Sequence, residues 1–308
     1  MIISFGEALI DMIQEGNSFK PFPGGAPTNF AVGVSRLGLK CKMISCVGND
    51  IFGKALLNKM AEEGVDTSYV KTINDRTTLA FVQLDERGTP RFFFYRCADK
   101  KITKEDIDEN IFKEAMLFHF GSLSLTETSL RETLFHCLDL AKRNNVTISF
   151  IPNIREDLWK KEYDKYLQRV LNYIDIMILS KSEFDYITKN IAEIAEKNFE
   201  EAAKEIIGRY KIKVMAITLG EDGAAMVTEN SFLKRPAFKV NVVDTTGAGD
   251  AFASAFVYAF LEGFEPEKML NFANAAAAIS ITKKGAMSAL PRKTDIEEFL
   301  RSGNSDKF

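Results

Sequence analysis

Histidine and cysteine are scarce in this chain, with two His and four Cys in 308 residues. His119 and His136 lack metal-ligand spacing, and His136 sits beside Cys137 in a helical pattern, which reads as structural. Cys41, Cys46, Cys97 and Cys137 form no C-x-x-C pair. This excludes a disulfide framework or zinc site and suits free thiols in a reducing compartment, so a cytoplasmic location is expected. No run approaches the roughly 20 apolar residues of a membrane helix. The apolar start, MIISFGEALIDMI, lacks a basic n-region and a cleavage site and reads as a first strand. No G-x-x-x-x-G-K-S/T is present, which excludes a P-loop, and no G-x-G-x-x-G follows the first strand, which disfavours a dinucleotide enzyme. The net charge of −3 gives nucleic acid no electrostatic footing. A single Trp contrasts with 25 Phe, read as core and lid packing.

The apolar periodicity predicts an α/β chain. Met1 to Phe5 reads as a buried strand that Ala8 to Met12 continues, ending near Asp11; Gln14 to Phe22 suits a hairpin or lid edge. Small residues from Phe30 to Leu37 predict a helix stopped by Gly38. Cys41 to Val47 is a strand, Gly48 to Gly53 a turn, and Lys54 to Glu63 an amphipathic helix. Thr77–Asp85 and Arg91–Arg96, around Glu86-Arg87-Gly88-Thr89-Pro90, predict a β-hairpin in a small appended sheet. Strands are expected at Leu117–Phe120, Thr147–Ile151, Ile176–Leu179, Val214–Leu219 and Ala224–Val227, with helices between, for example at Thr128–Asn144 and Phe199–Arg209. Such alternation implies a mostly parallel sheet with helices on both faces. Phe252–Leu261, Pro266–Lys283 and Thr294–Ser302 read as closing helices. The Lys100-Lys101 and Lys283-Lys284 pairs read as solvated faces.

One stretch carries the chemistry: Val243-Asp244-Thr245-Thr246-Gly247-Ala248-Gly249-Asp250-Ala251-Phe252. Glycines before a helix let backbone N–H groups face an anion, and the helix end adds about half a positive charge. Asp250 sits where that anion binds. A carboxylate there suits a base that deprotonates a nucleophile attacking phosphorus. The rival reading is an N-capped helix after a turn. Gly24-Gly25 reads as a hinge or as a plain loop before a helix. Asn29, four residues on, and Asp11 are placed to bond a polyhydroxylated ligand. Thr218-Leu219-Gly220, ahead of Glu221-Asp222-Gly223, follows a strand, where open α/β sheets bind ligands.

Gly24-Gly25-Ala26-Pro27-Thr28-Asn29-Phe30-Ala31 and Gly48-Asn49-Asp50-Ile51-Phe52-Gly53 resemble the N-terminal signature of the ribokinase-like (PfkB) carbohydrate kinases. Asp244 to Phe252 resembles their C-terminal signature, about 220 residues later in the same order. The resemblance covers nearly the whole chain. It implies a single domain over 1–308: a three-layer α/β/α core with a mostly parallel sheet, and a small β-sheet lid from segments near 12–23 and 73–99. It implies ATP-dependent phosphorylation of a sugar hydroxyl, with Asp250 as base and the backbone of Gly247, Ala248 and Gly249 as anion hole. By position, Asp11, Gly24, Gly25 and Asn29 resemble sugar-binding residues. Ser180, Thr218, Gly220, Gly223 and Asn274 fall at nucleotide-site positions. Glu183 ends the family's N-x-x-E motif, which holds Mg2+ largely through water; Ser180 replaces its Asn. Asp244 and Thr246, with carbonyls near Ser280 and Gly285, resemble ligands of a monovalent cation such as K+. The family's D-P-N-x-R is here Ile151-Pro152-Asn153-Ile154-Arg155, so the Asp is lost while Asn153 and Arg155 remain as candidate sugar contacts.

The lid, with Thr78 to Val82 and Arg91 to Asp99, is most similar to that of bacterial fructokinases, which places Phe94 and Arg96 near the sugar. The 2-keto-3-deoxygluconate kinases share a similar lid, and Arg96 or Arg155 suits their substrate carboxylate. Ribokinase and nucleoside kinase readings are further alternatives. The same aromatics also read as lid packing or as a homodimer contact. A sugar sensor without catalysis is the rival of another class, disfavoured by Asp250 and the anion-hole glycines; a dehydrogenase is a remote third. The expected partners are thus a small sugar and ATP, with no nucleic acid and no membrane.

Overall fold

The computed structural model describes residues 1–84, 90–155, 158–194 and 197–302. The chain opens with β1 (Ile2–Phe5), β2 (Leu9–Glu15) and β3 (Ser18–Gly24), then α1 (Ala26–Arg36), β4 (Cys41–Gly48), α2 (Ile51–Glu62) and β5 (Val70–Ile73). Next come β6 (Thr78–Leu84), β7 (Pro90–Tyr95), β8 (Leu117–Gly121), α3 (Thr128–Arg143), β9 (Thr147–Ile151), α4 (Asp164–Leu171) and β10 (Ile176–Ser180). After these lie α5 (Lys181–Tyr186), α6 (Phe199–Tyr210), β11 (Val214–Thr218), β12 (Ala224–Val227) and β13 (Phe232–Arg235). The closing helices are α7 (Ala248–Leu261), α8 (Pro266–Ser280), α9 (Ala286–Ala289) and α10 (Lys293–Arg301).

A nine-stranded sheet runs in the order β13-β12-β11-β10-β9-β8-β1-β4-β5. It is parallel from β11 to β5, and antiparallel where β12 and β13 extend it. Side chains alternate across its faces. On β10, Ile176 and Ile178 pack toward α1, α7 and α8, while Met177 and Leu179 pack toward α3, α4 and α6. Continuous apolar strands buried on both faces are what a helix-covered parallel sheet requires. Each fully buried Phe or Ile contributes roughly 1.5–3 kcal/mol.

The second sheet has the order β3-β2-β6-β7. Here the sequence expectation needs correcting, because Leu9–Glu15 does not continue β1. Gly6, with φ 144°, separates the two runs, and β2 pairs instead with β3 and β6. Asp11 therefore lies inside a lid strand rather than at the end of a core strand. The β6–β7 hairpin forms as expected, though its turn residues 86–89 lie outside the described residues. The helix expected from Lys54 begins at Ile51, because Asp50 caps it by accepting the N–H groups of Phe52 and Gly53. The helices expected from Phe30 and Phe252 likewise start four residues earlier, at Ala26 and Ala248. No helix among the described residues is long and apolar enough to cross a membrane.

Candidate active site

Two helices set the centre of the site. At their crossing, a Cβ added to Gly33 of α1 would lie 2.4 Å from Ser254 Oγ of α7, so the two helices approach at backbone distance. That approach brings Asn29 against Asp250, and Asn29 Nδ2 donates to Asp250 Oδ2 at 2.8 Å. Asp250 stands in the first turn of α7, whose leading N–H groups have no carbonyl partner within the helix. Gly247 precedes it in the left-handed region at φ 82°, and a Cβ there would meet Ala286 Cα at 2.7 Å. A Cβ on Gly249 would meet nothing within 4 Å, leaving an open approach to the loop backbone.

Two cavities meet at Asp250. One, of about 290 Å3, is lined by Asn153, Arg155, Ser180, Glu183, Thr218 and Gly249 among others. The other, of about 50 Å3, lies under the small sheet and is lined by Glu7, Asp11, Gly25, Asn29, Phe92, Phe94, Thr246 and Gly247 among others. Asn153, Arg155 and Asp250 line both. Gly24 is required beside this cavity, since a Cβ there would lie 2.1 Å from Asp11 Oδ2.

Burial dominates the electrostatics. Desolvation lifts Asp250 to about 6, against the Asn29 hydrogen bond and the Arg155 charge, which pull it down. Asp11 is raised to about 7, again by burial first; Arg155 lowers it and the Asp250 charge raises it. Arg155 faces both acids, and its guanidinium lies 4.1 Å from the Phe92 ring centroid. One cation thus joins the core loop, the lid and the two carboxyls.

Glu183 and Ser180 close the far wall. Ser180 caps α5, and its N–H and hydroxyl both donate to Glu183 Oε2 at 2.8 Å. Glu183 Oε1 accepts the Ile154 N–H at 2.9 Å. The serine that replaces the family's Asn therefore makes a capping box, and Glu183 also pins the Asn153–Arg155 loop. Asn153 has φ 42°. Ile151, where the family carries Asp, is buried in the apolar core instead. Asp244 accepts the N–H of Thr246 at 2.9 Å and of Gly285 at 2.8 Å, stapling the loop ahead of α7 to the start of α9. Ser280 is buried near it at the end of α8, and its hydroxyl donates to Ala277 O.

Several expected residues stand elsewhere. Arg96 does not line the smaller cavity; its side chain is 6% exposed and is held by Asp99 Oδ2, with Nε at 2.8 Å, and by Leu123 O and Thr126. A buried acid beside it captures the cation, so Arg96 braces the lid root. Gly220, Gly223 and Asn274 do not line the 290 Å3 cavity. Gly223 makes a tight turn whose Cβ would lie 2.1 Å from Arg235 O, and Asn274 Nδ2 donates to the Arg235 and Pro236 carbonyls. His119 is buried, stacks on Phe30 and bonds Ser149, a structural role. Glu7 and Phe92 are cavity residues that sequence reasoning missed. Glu7 carried a signal, the first of two carboxylates in an apolar N-terminal run, whereas Phe92 differs from Phe93 only by strand face.

Asp250 stands at a helix start between the larger cavity and a polar pocket under the small sheet, an arrangement that suits a phosphotransferase. The chain matches the model of the pfkB family carbohydrate kinases over residues 1–293, and it belongs to that family. It is 33% identical to fructokinase-1 of Zea mays over 320 residues, covering 97% of each chain. Its fold matches an ATP-bound fructokinase from Xylella fastidiosa with a TM-score of 0.90, 31% identity and 99% of both chains covered. A putative ribokinase II from E. coli in complex with ATP and Mg2+ matches with a TM-score of 0.88 at 30% identity, over 98% of this chain and 99% of that one. A double-mutant fructokinase from Vibrio cholerae, bound to fructose, ADP and potassium ion, matches with a TM-score of 0.87 at 29% identity over 97% of each chain.

Proposed function

We propose that this kinase is an ATP-dependent fructokinase that forms fructose 6-phosphate. The observation that carries the reading is the position of Asp250, in the wall shared by the two cavities. Sugar held from Asp11, Gly24, Gly25, Asn29, Phe94, Asn153 and Arg155 presents its primary hydroxyl to Asp250. Nucleotide lies in the larger cavity, along Ser180, Thr218 and Gly249. The hydroxyl oxygen bonds the γ-phosphorus, the bond to the ADP oxygen breaks, and Asp250 takes the proton. The backbone of Gly247, Ala248 and Gly249 meets the charge that develops on the transferring group. Lid closure excludes the water that would otherwise hydrolyse ATP.

Mg2+ would lie beside Glu183, a residue lining the larger cavity, and there it would neutralise phosphate charge. A monovalent cation fits the loop stapled by Asp244, with Thr246, Ser280 and Gly285 around it, and would stiffen that loop. Rates with and without potassium test this role; equal rates would remove it. The outer face of the small sheet carries Phe19, Phe93 and Tyr95 exposed, with Phe19 and Tyr95 edge-on to Phe81. Exposed aromatics there suit a homodimer, checked by light scattering. A cytoplasmic location is part of the same reading, in keeping with the free thiols of Cys41, Cys46, Cys97 and Cys137.

An ADP-release assay over fructose, 2-keto-3-deoxygluconate, ribose and adenosine tests the assignment. Fructose is expected to give the highest kcat/KM. Preference for another substrate would reassign the enzyme, and no turnover at all would favour a sugar sensor.

A further inference from the structure

Arg155 stands in the site as a cation without a polar partner. A guanidinium offers five N–H donors, yet among the described residues the Arg155 side chain makes no hydrogen bond and no ion pair. The contact it does make is with the lid: its guanidinium carbon lies 4.1 Å from the centroid of the Phe92 ring. The backbone beneath it is fixed from the core side. Asn153 adopts φ 42°, and Glu183 Oε1 accepts the Ile154 N–H at 2.9 Å. The side chain is therefore anchored at its root, and its head rests on a ring from another element. Strand alternation selects that ring. Phe92 and Phe94 share one face of β7, with centroids 6.0 Å apart and planes at 21°, and both line the smaller cavity. Phe93 and Tyr95 take the other face and are exposed.

We propose that Phe92 is a positioning residue for the reaction: its ring holds the Arg155 guanidinium beside Asp11 and Asp250, and so favours the charged, proton-accepting form of the base. This rests on the kinase reading above and deepens it. Among the described residues lining the two cavities, the acids are Glu7, Asp11, Glu183 and Asp250, and the cation is Arg155. Asn29 is the polar neighbour of Asp250 from α1. Burial raises Asp11 and Asp250; the Arg155 charge opposes it at Asp11, and at Asp250 it does so together with the Asn29 hydrogen bond. That effect depends on where the charge is held, because the interaction weakens with distance and with access of water. A long side chain without hydrogen bonds has several rotamers open to it. An aromatic face favours one place for the guanidinium and consumes none of its donors, which stay available to both cavities.

Phe92→Leu keeps an apolar side chain on the same strand face and removes the aromatic one; Phe92→Tyr restores it. In the Leu variant the acid limb of the kcat/KM profile should move up by about half a pH unit or more, a loss of about threefold on the acid side that vanishes at high pH. The Tyr variant should return the limb to its wild-type position. In an Arg155→Gln background, Phe92→Leu should move the limb no further, since the two side chains act as one unit. A limb unmoved by Phe92→Leu, or moved equally with and without Arg155, overturns the proposal. A ring that only packs the lid would instead lower kcat/KM evenly across the pH range. Should Phe92→Leu fail to fold, a structure of the wild-type protein with fructose and a non-hydrolysable ATP analogue decides. Arg155 resting on the Phe92 ring in that complex supports the proposal, and Arg155 away from it overturns it. Failure of the kinase reading is seen separately, as a wild-type protein that phosphorylates no sugar.

Discussion

Asn29 and Asp250 are 221 residues apart in the chain and joined by a 2.8 Å hydrogen bond. The amide donates to the carboxylate, so it stabilises the charged form, the one the proposed base requires. Replacing Asn29 with Ala removes that donor and lets burial act unopposed at this bond. The Asp250 pKa then rises above its value of about 6. The acid limb of the kcat/KM profile should move to higher pH, with a marked loss of rate near pH 7. An acid limb unmoved by the substitution would show that another group sets it.

Asp250→Asn tests the base directly. The side chain keeps its size and can still accept the Asn29 N–H, so binding of sugar and nucleotide should persist. Loss of the proton acceptor should lower kcat by about 10²-fold or more. Wild-type turnover in this variant would remove Asp250 from the mechanism.

Buried acids should also make the ligand-free protein pH-sensitive in stability. Glu7 and Asp11 are raised to about 7 and Asp250 to about 6. A folded-state pKa above the unfolded one means full stability below the unfolded pKa and loss as pH rises through the folded one. Each unit corresponds to about 1.4 kcal/mol. The melting temperature should therefore fall between about pH 4 and 7 and level off above, and Asp11→Asn should flatten that fall. Glu63 and Asp66 are lowered to about 2, so their contribution is lost only in much stronger acid. A flat profile in the wild type would contradict the buried charge balance.

Gly25→Ala probes the hinge. Gly25 has φ 101°, and a Cβ there would lie 2.4 Å from Glu7 O. Strain of this kind costs about 1–3 kcal/mol before the clash is counted. The variant should melt lower and bind sugar more weakly, while nucleotide binding, which uses other walls, changes less. Equal affinity for sugar would show that the loop relaxes freely.

Much of the fold was legible because apolar spacing reports burial. The strands at Thr147–Ile151 and Ala224–Val227 stand where periodicity put them. Periodicity does not report which sheet a strand joins, which is why Ala8 to Met12 reads as an extension of β1 although it belongs to β2 of the small sheet. It also misses first turns: α2 and α7 begin early because a capping Asp50 and a left-handed Gly247 set their starts, features with no apolar content. The resemblance of the lid segment placed Arg96 near the sugar, but only three-dimensional proximity reveals that Asp99 holds it.

From sequence alone Gly247, Gly249 and Asp250 read as an anion pocket with a base or as an N-capped helix, because backbone freedom and a titratable group are local properties. The family and its phosphoryl chemistry follow from two such signatures in order. Which acids are buried, what they face and which sugar they suit depend on groups far apart in the chain. Glu7, Asp11 and Asp250 acquire raised pKa values only when the lid strand, the first turn and α7 close on one cavity and exclude water. Desolvation is a property of that enclosure, so the tertiary structure decided it.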